Sequence, residues 1–566
     1  MSTAAKTFSL EEYARRSFNY LTRMVDGEHL PYFHVFWTDP AEAAHDFPDW
    51  GDVMCRQLQA ATMARIMTGC ELPIESIWLE KVFARLDPRT GLFVQPQTAY
   101  CPEQPVSFAV QGLVLYTLLT VWLGGQCPEA EGAIRRMIEH LPALVEESAS
   151  KEPGWTGFGI KSLAACGRFM DCPQAIELAG RLVHQVFAVN PLFSPDNTFR
   201  HGGHMHGNLR ILSGAAEYAL AVGDPELYSR VDALYRYVRS EATSFGFLPE
   251  VIGRTGDIVA CETCAVMDYL ALMVTLANHG HPEYWSDVER LVRNHLVESQ
   301  VADGAWLDSD CSRADDAQFS RRRIGSRMVG GYAGWSSPNH ILAARETMNA
   351  HWGGPELKNK TRAFQNCCGG SGTHGLFIAW KNAARYRDEG LEVWLHVDKR
   401  LPQAEIRGYQ PYQGRLTIEL KESCAVKVRV PAFVAGDQMR ATVAGRSVET
   451  RIWGNAMCIG RQPAGARIEV SYPLTEREEQ VSVGNPGRRQ YRYQVKWKGD
   501  TVIAMTPVGD SAKTGYSEYD QREVEVFYGE DGPGRLYQRD QMAASVEPEL
   551  SEIHLDEGWL DFWFVR

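Results

Sequence analysis

The sequence predicts a mainly α plus β protein in which a helical toroid of the (α/α) type precedes a β-sandwich. Two observations support this prediction. Amphipathic helical runs follow one another through the first two thirds of the 566 residues, and short alternating runs typical of strands replace them near Asp388. A chain of this length exceeds one ordinary core, so we expect two domains, at 1–388 and 389–566.

Helices are predicted wherever apolar residues recur at a spacing of three and four. Gly, Pro, Asp and Asn between these runs, as in Gly223-Asp224-Pro225, end one helix and begin the next. Many consecutive helices indicate stacked helical hairpins, which an (α/α) toroid closes around a central pocket. The rival arrangement, a superhelical array, would show a fixed repeat length, and the sequence has none. The predicted helices are Leu58–Met67, Val110–Leu123, Ala133–Glu146, Ala175–Ala188, Leu209–Val222, Tyr228–Ser240 and Leu291–Val301.

After Asp388 the chain consists of short runs rich in Val, Ile, Leu and Thr, broken by Gly, Pro and Asp. This pattern is typical of a β-sandwich. The C-terminal stretch Trp559–Phe564 is too apolar to remain exposed, and we expect it to pack back on the body of the protein. The predicted strands are Glu392–Val397, Arg415–Leu420, Ala425–Val430, Ala466–Tyr472 and Thr501–Met505.

Composition narrows the classes of partner. The formal net charge of −13 argues against nucleic acid, because phosphate binding requires a basic surface. No apolar run reaches the roughly 20 residues that span a bilayer. The N-terminal residues also contain no apolar core of signal-peptide length. We therefore expect a cytoplasmic protein with no membrane partner, for which a homodimer is one possible assembly.

The chain has 13 cysteines in all, and two tight clusters stand apart from the rest. The first, Cys261-Glu262-Thr263-Cys264, opens the apolar run Ala265–Ala277, and the second, Cys367-Cys368, lies just before the run Leu376–Arg385. Both clusters are thus expected at helix N-termini, where the helix dipole favours anions and lowers thiol pKa values. Thiolates with a carboxylate favour Zn²⁺, so a zinc site is predicted if the clusters meet.

The spacing alone leaves three interpretations open. A structural zinc site would use the four sulfurs of Cys261, Cys264, Cys367 and Cys368, although such sites usually separate the two cysteines of a pair by two to four residues. A catalytic site would use one cysteine as a nucleophile as well as a ligand. The third interpretation is that no metal binds.

Several stretches occur in the order found in one known family. Two of these stretches are the cysteine motifs Glu262–Ala265 and Cys367-Cys368. Two others are Phe47–Val53, with its aspartate and tryptophan, and the glycine-histidine segment Gly203–His206. Lys427–Pro431 contains an Arg-x-Pro strand and is followed by a short hairpin sequence, Val443-Ala444-Gly445. Together these motifs resemble the zinc-dependent glycoside hydrolases of the β-L-arabinofuranosidase group, family 127 and its relatives. The resemblance covers most of the chain.

The resemblance implies an (α/α)6 barrel that holds the active site, with β-sandwich material after it. It implies that Glu262, Cys264, Cys367 and Cys368 bind Zn²⁺, and that Cys261 occupies a position that is not a ligand. It further implies that Cys367 is the nucleophile and that a glutamate upstream of Glu262 is the general acid/base. These roles suit a retaining glycosidase, in which one group attacks the anomeric carbon and a carboxyl group protonates the leaving oxygen.

The candidate acid/base is Glu250, twelve residues before Glu262. The alternatives are Glu241, on the preceding predicted helix, and Asp257. Glu250 could instead be a loop carboxylate that caps a local turn.

Four further residues are candidate substrate contacts. His204 and His206 are predicted to contact sugar hydroxyls, and Trp335 or Trp155 could stack on a sugar face. Each could equally be a buried core residue. The run Arg321-Arg322-Arg323 is either a solvated loop or a seat for an acidic substrate group.

The sequence therefore predicts a retaining, exo-acting glycoside hydrolase that uses a zinc-bound Cys367 and a glutamate acid/base. Its carbohydrate substrate would carry a terminal sugar, most simply a β-L-arabinofuranoside. One alternative is an (α/α)-toroid sugar epimerase or polysaccharide lyase, which would use histidine or tyrosine and need no thiolate cluster. Another is a carbohydrate-binding protein with a structural zinc.

Overall fold

The structure, a computed structural model, describes most of the chain. The predicted tail Trp559–Phe564 and the alternative acid Asp257 lie outside the described residues, as do parts of two motifs, Phe47–Asp49 and Gly203. The described residues are 6–36, 38, 40–46, 50–98, 107–125, 127–151, 153–200, 204–252, 260–308, 313–338, 344–347, 361–388, 390–484, 490–508, 515–517 and 522–526.

The predicted α plus β class is confirmed, with helices before residue 383 and mostly strands after it. The helices are α1 (Leu10–Arg23), α2 (Val53–Thr68), α3 (Pro73–Phe83), α4 (Phe108–Leu123), α5 (Ala130–His140), α6 (Pro142–Lys151), α7 (Gly157–Phe169), α8 (Pro173–His184), α9 (Met205–Val222), α10 (Pro225–Glu241), α11 (Thr263–Asn278), α12 (Trp285–Leu291), α13 (Ile324–Met328) and α14 (Cys367–Asn382).

Local chemistry explains the sharp break between α9 and α10. Gly223 ends α9 in the left-handed region, with φ of 70°, where a side chain would be strained. The carboxylate of Asp224 then accepts hydrogen bonds from the N–H groups of Glu226 and Leu227, and Pro225 occupies the first turn of α10. Three consecutive residues thus end one helix and begin the next, as the sequence predicts.

Two predicted helices differ from the structure. In the run Leu291–Val301, α12 ends at Leu291 and is followed by a π-helix, Val292–Leu296, and a 3₁₀ turn, Val297–Ser299. The run Ala133–Glu146 forms two helices, because α5 ends at His140 and α6 begins at Pro142. Proline has no N–H to donate within a helix, whereas it is accommodated in a first turn. The period of the apolar residues continues across the break, so periodicity alone did not reveal it.

Six helices form a closed ring. In the order α2, α4, α7, α9, α11 and α14, each packs against the next, and α14 packs against α2. Each also contacts an outer helix, namely α3, α5, α8, α10, α12 and α1 in the same order. Ring helices such as α2 and α11 are buried along nearly their whole length, as expected of helices with neighbours on every side.

The described strands form five sheets. A seven-stranded sheet orders Gly515–Ser517, Arg522–Val526, Ala344–Thr347, Thr361–Gln365, His34–Phe36, Glu42–Ala44 and Phe319–Ser320. A six-stranded sheet orders Lys399–Arg400, Ala404–Gly408, Arg415–Leu420, Arg467–Ser471, Arg440–Val443 and Arg446–Ser447. A five-stranded sheet orders Arg451–Trp453, Ala456–Gln462, Cys424–Arg429, Gly390–Val393 and Ala384–Arg387. A three-stranded sheet consists of Glu476–Gly484, Gln490–Lys498 and Thr501–Val508. A two-stranded sheet pairs Cys261–Glu262 with Trp335–Ser336.

The six-stranded and five-stranded sheets share one apolar cluster. Ile418 and Ile468 of the first and Val428 and Met457 of the second are fully buried in it. The three-stranded sheet differs, because its buried Trp497 belongs to the large cluster formed by the helices. Among the described residues, no helix combines the length and apolar character that crossing a membrane requires.

Candidate metal centre

The two cysteine clusters meet in the folded chain. One carboxylate oxygen of Glu262 and the sulfurs of Cys264, Cys367 and Cys368 all lie within 4.8 Å of one another, and all four residues are buried. The sulfurs of Cys264 and Cys368 are 3.5 Å apart. Two sulfurs bound tetrahedrally to one zinc ion would lie about 3.8 Å apart, so the group has dimensions that suit such an ion. Cys261 is not a member, and its sulfur lies 3.9 Å from the carbonyl oxygen of Glu262.

Two helix N-termini supply these ligands. Glu262 precedes α11 in extended conformation, where its strand pairs with Trp335–Ser336, and Cys264 lies in the first turn. Cys367 and Cys368 are the first two residues of α14. The prediction that the pair lies before its helix is therefore wrong, since the helix begins nine residues earlier than Leu376.

Tertiary packing explains the early start of α14. Its first turns are rich in glycine, which is a poor helix former. A Cβ atom on Gly369 would lie 2.2 Å from the hydroxyl oxygen of Tyr20, and one on Gly372 would lie 2.2 Å from the ring of Tyr332. The glycines therefore permit neighbours to approach the backbone of α14, and that packing compensates for the low helix propensity.

Asn366, immediately before the cysteine pair, is fixed by hydrogen bonds of its backbone and of its side chain, whose Nδ2 donates to the carbonyl of Tyr32 at 2.8 Å. Its carbonyl accepts from the hydroxyl of Tyr20 at 3.1 Å and from Nε2 of Gln57 at 2.9 Å. Its N–H donates to the carbonyl of Phe33 at 2.7 Å. These contacts link α1, α2 and the strand His34–Phe36 to the start of α14, so the positions of Cys367 and Cys368 depend on three distant segments.

The three thiols differ in electrostatics. Hydrogen bonds from Cys264 and Cys368, together with the charge of Arg56, lower the pKa of Cys367 to about 6. Burial raises the pKa of Cys264 and of Cys368 well above the ordinary value. Without a cation the group therefore holds one thiolate beside two neutral thiols. A divalent soft ion would stabilise all three as thiolates, which is the donor chemistry of a zinc site.

Arg56 on α2 supplies a positive charge that the sequence did not reveal. Its Nε donates to Oδ1 of Asp52 at 2.7 Å, and its Nη1 lies 3.4 Å from Oγ of Ser371. That hydroxyl is in turn 3.2 Å from the sulfur of Cys264. The spacing of Asp52 and Arg56, four residues apart at the start of a helix, is the only local signal that could have indicated this pair.

His204 joins the metal-ligand candidate Glu262 to Glu250. Its Nε2 hydrogen-bonds to Oε2 of Glu262 and lies 3.6 Å from Oε1 of Glu250. Burial would raise the pKa of Glu262, but the charge and hydrogen bond of His204 hold it at about 2. Burial would likewise lower the pKa of His204, and Glu262 raises it to about 9. The two residues therefore form an ion pair at neutral pH.

Backbone hydrogen bonds bring Glu250 to this position. Its N–H donates to the carbonyl of Ala260 at 2.7 Å, and its carbonyl accepts from the N–H of Met205 at 2.8 Å. Glu250 thus lies beside the strand that carries Glu262, and it is buried. Glu250 also converges with His204 and Glu262 in a second group of possible ligands, whereas the alternative acid Glu241 is exposed at the end of α10 and belongs neither to this group nor to the Glu and Cys group.

The remaining candidate residues lie beside His204 or Glu262. The ring of Trp155, 41% exposed, is 5.7 Å from the His204 ring. His206 is buried, and its Nδ1 lies 2.6 Å from Oδ2 of Asp268. Trp335 is half-buried, and its backbone pairs with that of Glu262.

No protein-family model and no curated protein sequence matches this chain. Solved structures do match it. A glycoside hydrolase with 14% sequence identity has a TM-score of 0.57 and covers 88% of this chain and 83% of its own. A family 127 β-L-arabinofuranosidase from Geobacillus stearothermophilus T6, 13% identical, has a TM-score of 0.53 with coverages of 87% and 80%. A second family 127 β-arabinofuranosidase, 12% identical, has a TM-score of 0.55 with coverages of 92% and 90%.

The chain has the fold of the family 127 hydrolases. The resemblance recognised in the order of the sequence motifs is confirmed at the level of the fold, over most of both chains. The sequence identities are only 12% to 14%, so most aligned positions hold different residues in this chain and in the solved structures.

Proposed function

We propose that the protein is a retaining glycoside hydrolase that releases a terminal sugar, most simply a β-L-arabinofuranosyl unit, with Cys367 as nucleophile and Glu250 as general acid/base. One observation carries the proposal. A buried group of three cysteines and a glutamate converges beside a second carboxylate, Glu250, in a chain with the fold of family 127 hydrolases.

Zn²⁺ is the ion we propose for this group, held by Glu262, Cys264, Cys367 and Cys368. Bound there, it would keep the sulfurs deprotonated at neutral pH and fix their positions. The donor set supports this choice, because three of the four ligands are soft thiolates, which favour Zn²⁺ over the oxygen-preferring Mg²⁺ and Ca²⁺.

Accessibility favours Cys367 as the reacting sulfur. Cys367 retains 7% exposure, whereas Cys264 and Cys368 retain none. In the proposed reaction the Cys367 thiolate forms a bond to the anomeric carbon, and the glycosidic C–O bond breaks as Glu250 protonates its oxygen. Glu250 then takes a proton from water, whose oxygen displaces the sulfur and releases the sugar with its configuration retained.

The substrate contacts are proposed on the same side of the site. His204 and His206 lie next to each other, with ring centroids 5.5 Å apart, and the exposed Trp155 packs edge-on to His204. We propose that His204 and Trp335 contact the sugar. His206, held from behind by Asp268, is proposed to complete this wall.

The closed ring of six helices with six outer partners supports the (α/α)6 barrel, and the shared apolar cluster of two sheets supports the β-sandwich. We propose the domain boundary at 388/389. The cytoplasmic location and the homodimer stay predictions.

Replacement of Cys367 by Ser tests the proposal, with Cys261→Ser as a matched control at a neighbouring buried cysteine. We expect Cys367→Ser to lower turnover of an aryl β-L-arabinofuranoside by at least about a thousandfold. Cys261→Ser should retain both turnover and one equivalent of zinc. Wild-type turnover in Cys367→Ser would contradict the nucleophile. A carbohydrate-binding protein with structural zinc would instead bind sugar without turnover and unfold on chelation.

A further inference from the structure

A cavity of about 900 Å³ lies between the end of α1 and residues 315–327. None of its lining residues belongs to the converging Glu and Cys group. It includes the run Arg321-Arg322-Arg323, which the proposed reaction does not use.

The lining of this cavity is rich in arginine although the chain as a whole carries a net charge of −13. The cationic side chains are Arg23, Arg321, Arg322, Arg323 and Arg327. The carboxylates that line the same space are Asp26, Glu28, Asp315 and Asp316.

Three of these carboxylates already have partners. Asp26 lies 3.3 Å from Nε2 of His45 and accepts from the backbone N–H of Leu30 at 2.7 Å. Asp315 accepts from Oγ of Ser320 at 2.9 Å. Asp316 is 3.1 Å from Nη1 of Arg321.

Arg321 is itself neutralised, because its Nε also lies 2.6 Å from Oε1 of Glu42. The first arginine of the run therefore stabilises the fold. Among the described residues, the ion-pair contact of Arg322 is a loose one of 4.0 Å with Asp315, and its side chain is 71% exposed.

Arg23, Arg323 and Arg327 form no ion pair with a carboxylate within the described part of the chain. Arg327 is held rigidly by neutral oxygens, since its Nε donates to the carbonyl of Arg23 at 2.7 Å and its Nη2 to that of Val25 at 2.8 Å. These bonds cap the C-terminus of α1 and fix the guanidinium at the cavity. Burial lowers the pKa of Arg327 although the nearby charge of Asp315 raises it, so Asp315 offsets the cost of burying this cation only in part.

We propose that this cavity is a second ligand site that binds an oxyanion, the carboxylate or phosphate group of a sugar. Guanidinium groups bind both groups through paired, charge-assisted hydrogen bonds. Arg327, most of whose N–H groups already donate within the fold, supplies a fixed positive charge, and the exposed Arg322 and Arg323 supply guanidinium groups for such bonds. The saccharide part of the ligand rests on the proposed function, whereas the oxyanion part does not.

Isothermal titration calorimetry at low salt with inorganic phosphate, glucuronate, glucose 6-phosphate and glucose tests the proposal on the full chain. We expect saturable binding of phosphate and of at least one acidic sugar, and none of glucose. In Arg323→Gln/Arg327→Gln the affinity should fall about tenfold or more. Arg451→Gln, an exposed arginine on the strand Arg451–Trp453, is the control and should bind normally.

The variant Arg322→Gln/Arg323→Gln changes only exposed side chains, so it tests the site even if loss of Arg327 disturbs the fold. Its affinity should fall about threefold. Tighter binding of glucuronate would identify a carboxylated ligand, and tighter binding of glucose 6-phosphate a phosphorylated one. Absence of saturable phosphate binding, or equal binding by all variants, would overturn the site. Arabinofuranoside turnover should be unchanged in these variants, so failure of the two proposals can be distinguished.

Discussion

His204 and Cys368 lie on the two different oxygens of the Glu262 carboxylate. Nε2 of His204 hydrogen-bonds to Oε2 of Glu262, while Oε1 lies 3.9 Å from the sulfur of Cys368. One oxygen is thus engaged by the imidazole, and the other faces the cysteines. A carboxylate held in this way presents a single oxygen in a fixed direction to a metal ion.

Loss of His204 should therefore weaken metal binding even though His204 is not a proposed ligand. We expect His204→Gln to reduce zinc affinity by about 10- to 100-fold, measured by competition with a chromophoric chelator. His140→Gln, on the exposed end of α5, is the control and should leave the affinity unchanged. An unaltered affinity in His204→Gln would show that Glu262 orients itself without the imidazole.

Replacement of Glu250 should affect substrates according to their leaving groups. A general acid matters most when the departing oxygen is a poor leaving group. We expect Glu250→Gln to lower kcat by about 10²- to 10⁴-fold for an alkyl arabinofuranoside. For a nitrophenyl arabinofuranoside, the rate constant of attack by Cys367 should fall much less. The comparison is made by steady-state and burst kinetics, with the exposed Glu241→Gln as control. An equal loss for both substrates would assign Glu250 a different role.

The start of α11 could be predicted from the sequence and the start of α14 could not. Thr263 opens a continuous apolar run whose period indicates a helix. Cys367 opens a run of glycines whose helical conformation depends on neighbours such as Tyr20 and Tyr332, far away in sequence. Sequence patterns report local preference, whereas this helix is stabilised by tertiary contacts.

The strand pairing in the helical part of the chain was missed for a similar reason. His34–Phe36 is three residues long and pairs with Thr361–Gln365, more than 300 residues away. The family resemblance implies that the cysteine clusters meet, whereas their spacing alone made a metal site conditional on that meeting. The sequence did not reveal Arg56, whose charge matters only once the clusters have come together.

Arg429 of the Arg-x-Pro motif forms a buried ion pair with Glu289, which suggests a third experiment. Its Nη2 lies 2.5 Å from Oε2 of Glu289, and Nε of Arg293 lies 2.6 Å from Oε1. All three side chains are buried, and they join α12 to the strand Cys424–Arg429. Removing the carboxylate would take the Glu289 charge from two buried guanidinium groups and leave the more distant Asp500, 3.7 Å from Nη2 of Arg429, in its place.

We therefore expect Glu289→Ala to lower the free energy of unfolding by about 3–5 kcal/mol, measured by urea denaturation. Glu283→Ala, on a nearby exposed carboxylate, should change it by less than about 0.5 kcal/mol. A loss in Glu289→Ala as small as in the control would show that the guanidinium groups find other partners.

His396, in the same junction, should make stability depend on pH. Its Nε2 donates to the carbonyl of Arg429 at 3.0 Å, and its Nδ1 lies 2.7 Å from the hydroxyl of Tyr472. A neutral ring satisfies both contacts. Burial lowers the pKa of His396 from 6.5 to about 4, although the charge of Glu289 raises it, and the charges of Arg429 and Arg293 lower it further.

Between these two values the unfolded chain binds a proton at His396 and the folded chain does not. The free energy of unfolding should therefore fall as the pH is lowered from 6.5 towards 4, by at most about 1.4 kcal/mol per pH unit from this group. His396→Gln cannot titrate, so its unfolding free energy should change less over this range than that of the wild type. Urea denaturation at pH 7.0, 6.0 and 5.0 measures the difference. Parallel profiles for the two proteins would show that His396 is protonated equally in both states, and that the buried charges around it do not hold it neutral.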